Sequence, residues 1–488
     1  MKNLITVFLP FSDDRINEFN FKQLGSSKLV EKIYFLNDKN KNINIENVLN
    51  TDSLFSTSTL NKILQKTKTE HLIFITEEGK ITLQGNSLLK YIDIFKKYNS
   101  AITYSNYYLR KGNALIKQPV IDHQLGSVRD DFNFGPLLFF NKKCFKEKQN
   151  SIKTESVWMG LYALRLSISE EKPVVKISEY LYSFEERKKQ TDEEKHFDYL
   201  DSSNAEKQKE AERVFADYLK NIGAYIFSKF EDICFSEDDY EFEASIIIPV
   251  KNRVKTIKDS VNSALKQKTK NKFNIIIVDN HSTDGTTQII KEIANEDDRV
   301  IHIVPERTDL EIGGCWNEAV NFKSCGMFAV QLDSDDIYKD ENTLQKIVDK
   351  FHNEKCGMVI GSYQLTDFDF NEIPPGIISH NEWTDANGHN NALRVNGFGA
   401  PRAFYTPLLR KNKFPNVSYG EDYAVCLAVS RKHKVGRIYE HIYVCRRWEG
   451  NSDAELTIDK KNKYDFYKDT LRTEEINKRI KMKKNVLK

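Results

Sequence analysis

The stretch Asn274-Ile275-Ile276-Ile277-Val278-Asp279-Asn280-His281-Ser282-Thr283-Asp284-Gly285-Thr286 sets an unbroken apolar run against a carboxylate and a turn of small polar residues. The run has the length of a strand buried on both faces, and Ile289, Ile290, Ile293 and Ala294 follow it at helical spacing. The same alternation extends outward. Strand-like runs occupy Ser245–Pro249, Val300–Val304, Met327–Asp333 and Met358–Gly361. Helical stripes at Ile257, Val261, Ala264 and Leu265, and at Leu344, Ile347, Val348 and Phe351, fill gaps between them. Apolar strands alternating with amphipathic helices predict an α/β protein with a doubly wound, mostly parallel sheet. The segment from Met1 to about Tyr182 repeats the pattern, with runs at Leu4–Leu9, Lys32–Leu36, His71–Thr76 and Ala101–Tyr104.

These features divide the chain into residues 1–184, a connector at 185–243, a second α/β unit at 244–455 and a basic tail at 456–488. In the connector, Ser203-x-x-Glu206 reads as a capping box opening a helix with Val214, Phe215, Tyr218, Leu219, Ile222 and Ile226 on one stripe. The acidic run Glu237–Glu243 reads as a solvated linker, with a metal or partner site as its alternative. Near the end, Lys478-Arg479-Ile480-Lys481-Met482-Lys483-Lys484 carries a weak apolar edge of Ile476, Ile480 and Leu487. Such a helix either rests on an anionic membrane surface or is a frayed tail.

Composition excludes several classes. Of 488 residues, 40% are hydrophobic and 30% charged, which suits multidomain globular structure rather than disorder. The net charge is +2, from 73 basic and 71 acidic side chains, so nothing global marks a nucleic-acid binder. The longest apolar runs, Pro136–Phe140 and Ser245–Val250, fall far short of the ~20 residues that span a bilayer. The N-terminal apolar stretch lacks a small-residue cleavage site and reads as a first strand rather than a signal peptide. Seven cysteines without a CxxC pair point to a reducing, cytoplasmic setting and away from a disulfide framework or structural zinc.

Chemistry gathers at strand ends. Val330-Gln331-Leu332-Asp333-Ser334-Asp335-Asp336 puts three carboxylates directly after an apolar run. Like charges raise one another's pKa unless a cation neutralises them, and a hard ion such as Mg²⁺ or Mn²⁺ with room for a diphosphate answers that need. A polar turn capping the next helix is the bland alternative. Asp279 and the segment Pro249-Val250-Lys251-Asn252-Arg253 end two further strands. Ligands of open α/β sheets bind beyond the carboxyl ends of the strands, so all three ends converge on one crevice. Asp284 is expected to cap the helix behind it.

From about 244 to 452 the chain resembles a family 2 glycosyltransferase with the GT-A fold. The landmarks are Pro249 with Asn252, Val278–Thr286, Leu332-Asp333-Ser334-Asp335-Asp336 and Gly420-Glu421-Asp422. The resemblance implies a nucleotide-sugar donor, most often a UDP-sugar, whose base meets Asp279. It implies Asp335 as metal ligand, with Asp333 near the ribose or a metal-bound water and Ser334 between them. Asn252, Arg253, Arg307 and Arg447 would contact the nucleotide, with Arg447 on a segment closing over the diphosphate together with Asn451 and Ser452. Asp422 would be the general base and Glu421 its competitor. Trp383 and Arg402 lie where relatives build an acceptor pocket.

There are departures from the pattern. Lys251 replaces a frequent tyrosine, Asn280-His281 a frequent Asp-Gly, and Trp316 an arginine, and Arg447-Trp448-Glu449 replaces a familiar histidine. The first half resembles the second in faded form. Asn37-Asp38 stands for Asp279, Thr76 for Asp333 and Glu78 for Asp335, and the stretch around Glu155–Trp158 has no adjacent carboxylate pair. This degenerate GT-A-like unit is expected to bind an acceptor or act as a scaffold, and Gly126–Gly135 is polar and aromatic enough to line a cleft.

The resulting expectation is a metal-dependent inverting transferase acting on a saccharide or lipid-linked acceptor. Two alternatives stand beside it: a non-catalytic saccharide-binding or assembly protein, and a sugar-phosphate nucleotidyltransferase. The second would need a glycine-rich phosphate loop, and Pro249–Arg253 has no glycine.

Overall fold

The computed structural model describes residues 4–38, 47–187, 202–228, 230–231, 233–236, 239–379, 381, 383–451 and 456–486. The side chain of Ser203, the acidic pair Glu237 and Asp238, Ser452 and Leu487 lie outside what it describes. Two units organise the chain. One comprises Met1–Tyr225 with Thr457–Lys488, the other Ile226–Leu456.

The strands of the first unit are β1 (Ile5–Pro10), β2 (Val30–Asn37), β3 (Val48–Asn50), β4 (His71–Ile75), β5 (Gly79–Leu83), β6 (Ile102–Lys111), β7 (Ala114–Gln118), β8 (Leu137–Asn141) and β9 (Val174–Glu186). Those of the second are β10 (Ala244–Val250), β11 (Phe273–Asp279), β12 (Val300–Ile303), β13 (Phe328–Gln331), β14 (Ile337–Tyr338), β15 (Met358–Thr366), β16 (Glu372–Ile378), β17 (Arg402–Tyr405) and β18 (Val435–Arg446). The orders are β3-β2-β1-β4-β8-β6-β9-β5 and β12-β11-β10-β13-β17-β15-β18-β14, with β7 on β6 and β16 on β15. The protein is thus α/β, with two sheets of identical topology, as tandem GT-A-like domains require. Each sheet is mixed rather than mostly parallel, because β8 and β17 run antiparallel to both neighbours. Strand β17 is four residues long, too short for a periodic signal.

The sheet core of the second unit is apolar on both faces: Ile246, Ile247, Ile248, Ile275, Ile276 and Ile277 are all buried. Register then equates the two sheets. Ile5 pairs with His71, and Ala244 with Phe328. Counting onward along these strands puts Thr76 at the place of Asp333 and Glu78 at that of Asp335. Likewise Pro10 pairs with Leu36 and Pro249 with Val278, so Asn37 takes the place of Asp279.

Two segments that the sequence sets apart pack within the first unit. The connector helix Ser202–Asn221 buries Val214, Phe215, Tyr218 and Leu219, and its Glu210 accepts from the backbone N–H groups of Val157 and Trp158. The basic tail is the helix Ile458–Val486. Its Asp469 is fully buried, accepting from Ser127 and Arg129 of the body and from Arg472 of its own turn. A Cβ at Gly126 would lie 2.0 Å from the Asp469 carbonyl oxygen, so only glycine admits the helix so close. Ile476 is buried and Arg479 is paired with Glu475, so this part of the apolar edge is spent on packing. Among the described residues no helix is long and apolar enough to cross a membrane. All seven cysteines are unpaired.

Candidate active site

The loops after β10 and β11 are tied to each other. Asn252 and His281 both adopt left-handed backbone, at φ 54° and 57°, an uncommon conformation for residues with a side chain. The Asn252 N–H donates to the Ser282 hydroxyl at 2.9 Å, and its side-chain oxygen accepts from the Thr283 N–H at 2.8 Å. Asp284 accepts from the N–H groups of Val254 and Thr286, so it clamps both loops where the helix Thr286–Glu296 begins. Pro249 stays within its strand opposite Val278. His281 hydrogen-bonds through Nε2 to the Arg307 carbonyl at 3.0 Å, which makes it a loop-positioning group.

Asp279 has no exposed side-chain surface. Its carboxylate accepts from the Ser282 N–H at 3.0 Å and the Thr287 hydroxyl, with His302 Nε2 at 3.5 Å. Burial works to raise its pKa, but the donations of His302, Thr287 and Ser282 outweigh it and hold the group well below the usual carboxylate range. Asp279 therefore holds the turn from beneath.

After β13 the chain turns through Asp333-Ser334-Asp335-Asp336. The Asp333 N–H donates to the Tyr443 hydroxyl at 2.9 Å, and the Gln331 amide reaches both Asp333 oxygens, at 2.9 and 3.0 Å. Buried Ser334 offers its carbonyl to Thr256. Asp335 Oδ2 collects donors: Trp448 Nε1 at 3.2 Å, Asn451 Nδ2 at 3.1 Å and Arg253 Nε at 3.7 Å. Arg253 also donates to the Gly450 carbonyl at 3.0 Å, so the segment 447–451 lies over Asp335. Asp336 is buried and accepts from the Arg446 N–H; burial and then Asp333 and Asp335 push its pKa well up.

The donor set suits a hard cation: two carboxylates at alternate positions, one of them already collecting two neutral N–H donors and the Arg253 guanidinium. Among the described residues no group of three or more His, Cys, Asp or Glu side chains can hold a metal.

Gly420, at φ 82°, turns the chain into the helix Glu421–Ser430, whose first two residues are the paired carboxylates. Asp422 Oδ2 lies 3.1 Å from Arg402 Nη2. Arg402, the first residue of β17, also donates from Nη1 to the Gly399 carbonyl at 2.6 Å and from its N–H to Gln331 Oε1 at 3.1 Å. One arginine thus links Asp422 to the residue that holds Asp333. Burial lowers the Arg402 pKa, but Asp422 and then Asp333 and Glu421 raise it further, and the group stays charged. Glu421 is buried and its Oε2 has no partner. Burial first, and Asp422 second, push its pKa up to about 8.

Arg307 is exposed and forks onto Asp309 at 2.9 and 2.7 Å. Arg447 opens the segment over Asp335, its main-chain N–H donating to the Thr366 carbonyl at 2.8 Å. Trp383 is a core residue, buried against Phe398 and His389, and its ring plane is not offered to an acceptor. Trp316 stacks on Phe414 with centroids 5.0 Å apart, filling the core where relatives carry arginine. Gln331 and Tyr443 were not singled out from the sequence. A lone polar residue inside the run Phe328–Leu332 was the available signal for Gln331; Tyr443 had none.

A protein-family profile, glycosyl transferase family 2, matches residues 245–414. This stretch is a glycosyltransferase family 2 domain. A Rickettsia felis protein described as an uncharacterized glycosyltransferase is 29% identical over 205 residues, 41% of this chain and 32% of that protein. The chain thus spans about a third of that relative's length. The Escherichia coli UDP-Glc:alpha-D-GlcNAc-diphosphoundecaprenol beta-1,3-glucosyltransferase is 28% identical over 202 residues, 41% of this chain and 74% of the relative. Among solved structures, S. aureus TarS 1-349 in complex with UDP-GlcNAc aligns at 18% identity and a TM-score of 0.39, covering 49% of this chain and 70% of that one. The family 2 domain begins at β10 and takes in the Asp333–Asp336 turn and Arg402, and Glu421 and Asp422 follow it by a few residues.

Proposed function

We propose that the second unit is a metal-dependent inverting glycosyltransferase. It moves a hexosyl or N-acetylhexosaminyl group from a UDP-sugar to a saccharide or lipid-linked saccharide in glycoconjugate synthesis. The observation that carries this reading is the path Asp333–Gln331–Arg402–Asp422, which gathers the metal-binding turn and a carboxylate base around one guanidinium. The donor and acceptor classes are supported by the Escherichia coli relative, whose name gives UDP-Glc and a diphosphoundecaprenol-linked sugar.

Asp422 accepts the proton of the acceptor hydroxyl as its oxygen attacks the anomeric carbon, and the nucleoside diphosphate leaves from the opposite face. Its pairing with Arg402 at 3.1 Å fixes its direction. Glu421, raised to about 8, carries its own proton at neutral pH and is unfit to accept another. Asp335 and Asp333 would hold Mn²⁺ or Mg²⁺, which supplies Lewis acidity toward the leaving diphosphate. Arg253 and Arg447 serve the phosphates, and Asn252 and Asp279 shape the base-binding turn. Unpaired cysteines fit a cytoplasmic site of action.

Hydrolysis of a panel of nucleotide sugars, with Mn²⁺ and with chelator, tests this reading. UDP release from one or two UDP-sugars, lost on chelation and on Asp335→Asn, is the expected result. No release from any donor, or release indifferent to both, overturns it.

A further inference from the structure

We infer that the first unit holds a neutral saccharide in a cavity built where the second unit has its charged machinery. The cavity has a volume of about 460 Å³ and lies at the end of β4, lined by Thr76 and Glu77 among others. The sheet register places Thr76 at the position of Asp333. Phe74 pairs with Leu138, and Val330 with Ala403, so the next pair, Gln331 with Arg402, makes Leu138 the counterpart of Arg402. The helices Gly160–Ser169 and Glu421–Ser430 hold the same place in element order, so Leu161 stands for Asp422. Thr76, Leu138 and Leu161 all line the cavity. Three charged groups have become a threonine and two leucines, and apolar space has opened between them.

The remaining walls fit a sugar ring. Phe132, Phe134, Trp158 and Tyr162 supply aromatic surface against which the C–H face of a pyranose can lie. Glu77, Asp131 and Asn133 are exposed and place acceptor oxygens among the lining groups, suited to hydroxyl donors. A diphosphate has no welcome there. Among the described residues Arg165 is the one basic group in the lining, and it is buried, stacked over Phe134 and Tyr162 and donating to the carbonyls of Ser127 and Arg129. Anionic sugars face the same carboxylates and are disfavoured.

The walls are held before any ligand arrives. Glu210 fixes the main chain at Val157 and Trp158. Arg129, three residues from Phe132, is pinned to Asp469. A preformed cavity loses little entropy on binding.

Saturation-transfer NMR on the full chain tests this, using methyl β-glycosides of glucose, galactose, N-acetylglucosamine and N-acetylgalactosamine, with methyl glucuronide and octyl β-glucoside as counter-probes. Transfer to the ring protons of at least one neutral glycoside, weak or absent transfer to the glucuronide, and at least tenfold weaker binding in Trp158→Ala are expected. Glu77→Gln, at an exposed position that leaves the core untouched, should weaken binding as well, while both variants keep wild-type donor hydrolysis. Transfer that survives both substitutions and disappears in Arg402→Ala locates the sugar in the second unit and overturns the inference. Transfer to the octyl chain alone marks a lipid site and also overturns it, as does no transfer at all. Donor hydrolysis is read separately, so failure of the proposed enzymatic activity remains distinguishable.

Discussion

Arg402 Nη2 stands 3.1 Å from Asp422 Oδ2, and the N–H of the same arginine donates to Gln331, whose amide reaches both oxygens of Asp333. Removing the guanidinium leaves Asp333, Glu421 and Asp422 facing one another without a counter-charge. Arg402→Ala should lower transfer by ~10²-fold through misplacement of the base, and lower Tm as well. Arg402→Lys keeps the charge but cannot span Gly399 and Asp422 at once, so it should recover stability more than activity. Steady-state kinetics beside thermal melts check both.

Asp422→Asn is isosteric and removes only the capacity to take a proton. Its kcat should fall by at least ~10²-fold with donor affinity unchanged. Weakened UDP binding at wild-type kcat would make Asp422 a binding group instead.

Asp335 Oδ2 accepts from both Trp448 and Asn451. A cation on that oxygen must displace them, so adding Mn²⁺ with UDP should change tryptophan emission. Trp448→Phe should abolish the change, because of the four tryptophans it is Trp448 whose indole donates to Asp335. Asp335→Asn should abolish it too, along with metal-dependent activity. An emission change that persists in Trp448→Phe would place the cation elsewhere.

Much of this was legible in one dimension. Apolar runs ending in Asp279 or Asp333 announced buried parallel strands and the crevice beyond them, and the structure's register reproduces the pairing of Thr76 with Asp333 read from the two halves. What could not be read depends on long-range contacts. Arg402 reads as an acceptor contact because its partner lies twenty residues on, across a helix start. Nor does the sequence show that Ser282, Thr287 and His302 surround the Asp279 carboxylate. Trp383 gave no sign of whether its ring faces a cleft or a core. The basic tail looked solvated because the donors that hold its buried Asp469, Ser127 and Arg129, lie more than three hundred residues away.

The tail yields a prediction of its own. Asp469 is completely buried and joins Ser127 and Arg129 to Arg472. Asp469→Ala removes the carboxylate that two buried guanidinium groups share, although Arg129 keeps Asp131 at 2.9 Å, a loss of up to about 3–5 kcal/mol. Replacing Lys481, exposed on the same helix, should do almost nothing. Denaturant unfolding of the two variants separates a structural helix from a dispensable one: equal midpoints would show that the helix contributes no stability.

Glu421 makes stability depend on pH in a definite direction. Its pKa is about 8 in the folded protein against an ordinary 4.5, raised by burial first and by Asp422 second, with Arg402 opposing and Asp333 adding to the rise. Between those two values the folded state binds the proton that the unfolded state has released, so stability falls as pH rises. The stabilising contribution is complete below about 4.5 and is lost once pH has passed through about 8. Glu421→Gln removes the titration, since an amide stays neutral throughout. The wild-type Tm should therefore drop between pH 6 and pH 9 by more than that of Glu421→Gln, and the variant should be the more stable protein at pH 9. Asp422→Asn should shift the wild-type drop toward higher stability at pH 9, because the second contributor to the raised pKa is then neutral. Parallel Tm profiles for wild type and Glu421→Gln would show that Glu421 is charged in the folded state, and the base would then have to be chosen anew between the two carboxylates.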